Sequence, residues 1–463
     1  METQADEYPR LGPTECQLGY PFEIGRAKTK HWQRKPSVAF DGRRTYLVVW
    51  EEGSKNGDIY AMRLDVEGNL IDSKPLSICQ ERSRQRDPLV AFGGGLFLVV
   101  WSDFRSGRDY DLYGSRITPE GKILDRNGFS ISKGIGNRVW PAVAGNGELF
   151  IVAWSDFRNG IDYDLYLAQV HTEGVVESTD EVLVSGKSRG YGGANLIHEI
   201  MPSLTWDKEK FWLNWLESIH GPGYRKKKRS AHLLTFDALS IKLIAKKETR
   251  VDTGRWSVAP LPAIYAFPGK TPSFLVSQVR YHYRKSVSYL AVTYIDFKKM
   301  TFRHFPTYSP HKTEKIHWFE LFNFKPRSSA LNKWYFEDTL TGPLSYAYLM
   351  APEVHWKRWT ASRGPDHLFV VTEFTKDLKQ GLRGWVLKEG LDISPLASPG
   401  FTVEEAFIIG SPAIAADHKG RALLVYEADR GVDDCVIMGR IIQTSHRAIK
   451  SLAGLETEAL GSH

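Results

Sequence analysis

Three segments near the start of this 463-residue chain spell out one pattern: an apolar run ending in Trp, an acidic loop with Gly, then an Asp-led run with Tyr. They read YLVVWEEGSKNGDIYAMRLDVEG from Tyr46, FLVVWSDFRSGRDYDLYGSRITPEG from Phe97 and FIVAWSDFRNGIDYDLYLAQVHTEG from Phe150. Each copy holds short strands at a period of roughly 50 residues, and such a unit cannot bury both of its faces alone. Copies must therefore stack side by side.

Strand-built repeats of this length stack radially, which makes the fold class all-β and the architecture a single β-propeller of four-stranded blades. The opening strand of each repeat carries Pro followed by small and apolar residues, at Pro36, Pro88, Pro141, Pro202, Pro262, Pro352 and Pro412. Proline is tolerated at the first residue of a strand, where no ladder hydrogen bond is needed. Seven starts predict seven blades; the 90-residue interval from Pro262 to Pro352 predicts an irregular insertion at about 300–350 or an eighth, degenerate blade. Within the second repeat PLVAF, LFLVVW, DLYGSRI and GFSIS read as strands A, B, C and D. PFEIG at the N-terminus resembles a D strand that precedes the first A strand, so it is expected to pair with the last blade around CVIMGRII and close the ring. The expected layout is a tail over 1–19, the propeller over 20–450, and a second tail over 451–463, part of which could be vector-derived.

No run of 18 apolar residues occurs, so no segment spans a membrane. The polar N-terminus lacks a signal-peptide layout. Repeats of this kind are commoner outside the cell, so the expectation is a secreted, periplasmic or cell-surface protein whose leader has been trimmed; a cytoplasmic one is the alternative. Cys16, Cys79 and Cys435 are an odd number with no metal-ligand spacing. They read as free thiols, although ring closure could bring Cys16 or Cys79 to Cys435. No metal site is assigned and no cofactor is required, with Ca²⁺ left open. A monomer is expected.

Charge divides the chain. From Gly221 to Ala330 there are 21 Lys and Arg against 6 Asp and Glu, a net of +15 in a chain of net +7. The repeats decay in the same region. A field concentrated there steers an anionic partner, and an acidic polysaccharide suits it better than nucleic acid, because no nucleic-acid-binding module is recognisable.

The recurrent Asp103, Arg105, Asp156 and Arg158 read as scaffolding: each Asp accepting loop amides, each Arg pairing with the next blade, rather than a cation-binding ring. The asymmetric residues carry the functional reading. In a propeller the D–A and B–C connections emerge on one face. His198 is expected in a D–A connection, and His220, Tyr224 and Arg225 in the B–C loop of blade 4. Arg280, Tyr281, His282, Tyr283 and Arg284 are expected in the B–C loop of blade 5. These types suit β-elimination on a uronic acid: Arg280 neutralises the carboxylate, while His198, His220 and Tyr281 exchange protons. Tyr224, Arg225, His282, Tyr283 and Arg284 would bind substrate. Paired carboxylates such as Glu217 and Glu373 are not singled out by spacing, nor does the His304, His311, His317 series match a metal motif.

The W-S-D-F-R-x-G-x-D-Y-D-L-Y segments at Trp101–Tyr113 and Trp154–Tyr166 resemble the repeats of bacterial and archaeal surface propellers, over about 150 residues, with VYEADRG a weaker copy. That resemblance implies fold alone. His198 before Pro202, followed by His220, is similar to the His pair of seven-bladed uronate lyases of the ulvan-lyase type, which implies a lyase. The alternatives are a non-catalytic propeller that binds an anionic glycan or protein, and a nucleic-acid binder.

Overall fold

The computed structural model describes residues 16–25, 32–53, 56–174, 182–185, 196–206, 211–220, 228–236, 256–258, 263–267, 273–282, 287–296, 301–306, 359–363, 367–376, 379–388, 401–406, 409–417, 419–429 and 434–444. Its strands form seven antiparallel sheets. The innermost strands, A, adjoin one another in a closed cycle: Gln33–Phe40, Gln85–Gly93, Arg138–Gly145, Leu196–Trp206, Ala263–Phe267, Trp359–Arg363, Ile409–Ala416 and back to the first. This is a seven-bladed β-propeller. Blade 2 has the strands expected of it: Gln85–Gly93, Leu96–Asp103, Asp111–Ile117 and Phe129–Ser132.

The ring closes through the N-terminus. Phe22–Glu23 pairs with Gly439 and Met438 of the last blade's C strand, Cys435–Thr444. Cys16–Leu18, inside the stretch read as a tail, pairs further along the same strand. Ile24 follows into the core and is fully buried between blades 7 and 1 with Trp50 and Ile437. The three thiols stay free. Cys16 lies opposite Thr444 and Cys435 opposite Asp429, so the two stand at opposite ends of one strand.

Proline does not open the A strands. Pro36, Pro88, Pro141, Pro202 and Pro412 sit inside them, each where the ladder register slips by one residue. The preceding residue is left-handed every time: Lys35 (φ 53°), Asp87 (52°), Trp140 (52°), Met201 (55°) and Ser411 (49°). A β-bulge leaves one residue unpaired, so a proline there forfeits no ladder bond. Each left-handed non-glycine costs on the order of 1–2 kcal/mol. Neighbouring blades help hold it: the Lys35 amide donates to Glu427 (2.7 Å) and the Asp87 amide to Glu51 (2.9 Å). Pro262 and Pro352 lie outside the described residues. Thr301–Pro306, at the start of the expected irregular insertion, is a regular outer strand of blade 5; residues 307–358 lie outside the described ones.

The repeated Trp explains itself at this level. Trp50, Trp101 and Trp154 are fully buried, and each donates its indole N–H to the carboxylate two residues on: Glu52 (3.0 Å), Asp103 (2.8 Å) and Asp156 (2.8 Å). Arg105 and Arg158 then grip Asp103 and Asp156 at 2.6 Å and lie over the Tyr113 and Tyr166 rings. Both arginines pair with their own blade's Asp, and Arg105 also reaches a neighbouring blade, donating to Cys79 Sγ of blade 1 at 3.4 Å. Strand C adds further inter-blade bonds, Arg63 donating to Pro119 O and Arg116 to Thr172 O of the following blade.

Candidate functional site

The antiparallel order A–B–C–D puts the start of strand A and the B–C loop at one end of every blade. Backbone bonds seam the two across blade boundaries. Gln85 N–H donates to Gly57 O, Arg138 N–H to Tyr110 O and Glu199 N–H to Tyr163 O, each at 2.7 Å. This rim is the face on which the sequence-predicted residues were expected to meet.

His198 is on the rim but not in a connection. It is part of strand A of blade 4, opposite Ser218, because the ladder continues past the bulge. Its side chain is 1% exposed, and Nδ1 accepts the Tyr163 amide at 3.3 Å. One blade earlier, Asn137 Oδ1 accepts the equivalent Tyr110 amide at 2.9 Å. Asn137 stands four residues before Pro141 and His198 four before Pro202. The imidazole therefore does the work of an Asn side chain in an inter-blade clasp. Burial drives its pKa down to about 4, so it is neutral at neutral pH. An imidazole enclosed and occupied in this way cannot approach a polymer, and we do not carry His198 forward as an acid or base. His198→Asn is expected to leave stability within about 1 kcal/mol, and His198→Ala to cost about 1–2 kcal/mol by orphaning the Tyr163 amide. Chemical denaturation distinguishes the two.

The other expected site residues separate into two groups. His220 is the last residue of strand B in blade 4 (Phe211–His220), opposite Leu196. Arg280, Tyr281 and His282 end strand B of blade 5 (Ser273–His282) rather than lying in its loop. That strand runs on because Trp256–Val258 pairs with these three residues beyond the A strand proper. Tyr224, Arg225, Tyr283 and Arg284 lie outside the described residues, as do His311 and His317. His304 lies in the outer strand of blade 5, opposite Thr293.

The structure also brings together a cluster that sequence reasoning missed. In the B–C loop of blade 3, Asn159 Nδ2 donates to Asp162 Oδ1 (2.8 Å) and to Asp164 Oδ2 (2.9 Å). Asn159 Oδ1 meanwhile accepts the amides of Ile161 and Asp162. Asp162 is 1% exposed and Asp164 7%, beneath an exposed loop tip, Asn159–Ile161. Desolvation, with Asp162 close by, lifts the Asp164 pKa to about 6. In blade 2, Arg108 pairs with Asp109 at 2.8 Å and Arg138 stands 3.6 Å from Asp111, whose carboxyl pKa is still pushed up by burial. In blade 3, Ile161 replaces Arg108 and Glu199 replaces Arg138. Glu199 is itself buried, and Glu217 lies opposite it in register. The signal was present in the sequence, as Arg three residues before one proline and Glu three before the next. Among the described residues, no three carboxylate, imidazole or thiol groups close on one point as metal ligands would.

No family model matches the chain, and no curated protein matches it. Solved structures do. A protein of unknown function from Dyadobacter fermentans aligns over 93% of this chain and 99% of its own, at 10% identity and a TM-score of 0.51. An α-L-arabinofuranosidase from Fusarium graminearum aligns over 94% and 99%, at 10% identity and TM-score 0.43. A subtype N10 neuraminidase-like protein of A/little yellow-shouldered bat/Guatemala aligns over 93% and 100%, at 10% identity and TM-score 0.41. At such identities the likeness is one of fold.

Proposed function

We propose that this chain is a carbohydrate-active propeller that works at the rim of B–C loops and A-strand entries on blades 4 and 5, with an acidic polysaccharide as substrate. One observation carries the reading: His220 and the run Arg280, Tyr281, His282 all fall at strand ends that open onto that rim. Arg280, Tyr281 and His282 lie inside the segment of net +15, and His220 immediately precedes it; such a segment attracts a polyanion. In the elimination, Arg280 pairs with the uronate carboxylate and acidifies the C5–H. A neutral His220 or the Tyr281 phenolate takes that proton, the C4–O bond breaks, and the departing oxygen is protonated, leaving a C4=C5 double bond. A secreted or cell-surface location fits a polymer substrate. Among the described residues no helix is long and apolar enough to cross a membrane.

The test is a panel of uronate-containing, sulfated and neutral polysaccharides, read for ultraviolet absorbance of an unsaturated uronate and for new reducing ends. Absorbance with reducing ends is expected, lowered about 10²–10⁴-fold in His220→Ala or Tyr281→Phe. Reducing ends without absorbance mean hydrolysis and overturn the elimination. Retention on a polymer with neither signal favours the second reading, a non-catalytic glycan-binding propeller. That reading draws on His198, which leaves His220 without the imidazole partner expected of it.

A further inference from the structure

On the rim, blade 3 exchanges charge for apolar surface at three equivalent positions. Aligning Pro141 with Pro88 and Trp154 with Trp101 sets Ile135 against Arg82, Trp140 against Asp87 and Ile161 against Arg108. Ile135 is 73% and Ile161 45% exposed, two of the five large apolar side chains that stand exposed among the described residues. Trp140 is half-buried. The three share one neighbourhood. The connection that carries Ile135 crosses the B–C loop of blade 3, where the Phe157 amide donates to Asn137 O at 2.9 Å and a side chain at Gly136 would collide with Phe157 O. The Tyr163 ring, 1% exposed, lies 4.9 Å from Phe157 and 5.5 Å from Trp140, so one buried phenol backs both. The bulge itself does not call for an indole. The other four left-handed bulge residues are Lys35, Asp87, Met201 and Ser411, and a bulky aromatic at φ 52° is an outlier.

We infer that Ile135, Trp140 and Ile161 form a platform for the C–H face of a sugar ring, on the blade next to the proposed cleavage site, so that stacking on blade 3 holds the polymer alongside the charge of blades 4 and 5. The inference rests on reading the ligand as a glycan. An indole offers a flat, electron-rich face, and the C–H bonds of a pyranose carry the slight positive charge that such a face attracts. Lys133, exposed two residues before Ile135, can donate to the hydroxyls at the ring's edge. An apolar centre with a polar border suits a ligand that is itself apolar on one face and hydroxylated around it. A protein partner suits it less, because three side chains of a single blade fall well short of the roughly 800 Å² that each side of a stable protein pair buries. The Tyr163 backing and the fixed bulge hold the indole in place before any ligand arrives, which lowers the ordering cost of binding.

The full chain is titrated against fluorescently labelled oligomers of polygalacturonate, alginate and chondroitin sulfate, read by anisotropy at about 0.1 M and about 0.5 M salt. Saturable binding of at least one oligomer is expected. Trp140→Met copies the residue that blade 4 carries at the same bulge, Met201, and should lower affinity about tenfold at both salt concentrations, because lost stacking surface is not screened. Ile135→Ser, at an exposed position where the fold is indifferent, should lower it in the same salt-independent way by a smaller factor. Arg280→Ala, by contrast, should weaken binding mainly at the lower salt. Undiminished affinity in Trp140→Met and Ile135→Ser, a loss confined to the lower salt, or no saturable binding of any oligomer overturns the platform. Products are measured separately on the polysaccharide panel. Cleavage with unchanged binding in Trp140→Met removes the platform and keeps the proposed function; binding that depends on Trp140 without any product keeps the platform and removes the elimination.

Discussion

Asp156→Ala is expected to cost about 3–5 kcal/mol, read as a lowered denaturant midpoint with an unchanged transition slope. Three hydrogen bonds and a further guanidinium contact converge on this fully buried carboxylate. Trp154 Nε1 approaches at 2.8 Å, the Arg158 amide at 2.9 Å, Arg158 Nη2 at 2.6 Å and Arg138 Nε at 3.4 Å. Removing it strands a buried indole and takes from Arg158 its 2.6 Å carboxylate and from Arg138 the nearer of its two, which costs more than the pair's net worth. Blade 1 is the internal comparison. There Glu52 accepts from Trp50 Nε1 and Gln33 Nε2, both neutral donors. Glu52→Gln keeps an acceptor and removes no charge pair, so it should cost about 1 kcal/mol. Equal losses at the two sites would mean that the guanidinium pairing adds nothing to the Trp–carboxylate bond.

The architecture was legible because it is written in local terms. Alternating apolar runs, turn glycines and a repeated Trp-x-Asp set the strands, and the orphaned PFEIG strand had only the last blade to join. What the repeats could not disclose was register. Proline at strand position one and proline inside a bulge leave the same residues in the same order; only the pairing of Arg34 with Glu51 and of Ser37 with Val49 reveals the extra residue between them. The same blind spot moved His198 and Arg280–His282 from connections into strands, since strand length near the rim is set by how far the neighbouring strand continues.

The candidate site was less legible, for a reason visible in two residues. His198 looks conspicuous because imidazole is chemically versatile, yet its position is one where the repeat needs a single hydrogen-bond acceptor, and Asn137 fills the same need. Asp162 looks unremarkable because Asp109 stands in the same place one blade earlier. Its surroundings differ, with Ile161 where Arg108 stands beside Asp109, and that exchange is seen only when the blades are superposed. A residue that breaks the repeat can be a substitute in a conserved task, while a residue that keeps it can find itself in altered surroundings.

Those two residues titrate in opposite senses, and their variants should expose it. His198 has a folded pKa of about 4, below its ordinary 6.5. Its contribution is complete above pH 6.5 and is lost as pH falls through 4, because the fold must then take up a proton that the clasp cannot accommodate. Asp164 has a folded pKa of about 6, above its ordinary 3.8. Its contribution is complete below pH 3.8 and is lost as pH rises through 6. Each amounts to about 3 kcal/mol at most. Across pH 4–6 the two slopes oppose each other in the parent protein. Around Asp164 stand Asp162, Asp156 and Arg158, and the Tyr163 phenol packs beside His198. Asp164→Asn should therefore stabilise the fold near neutrality and leave it losing stability on acidification. His198→Asn should leave it gaining stability on acidification, and the double variant should be flat. Urea unfolding in half-unit steps from pH 4 to pH 7 measures all four slopes. If both single variants keep the parent's profile, neither His198 nor Asp164 titrates away from its ordinary range in the fold.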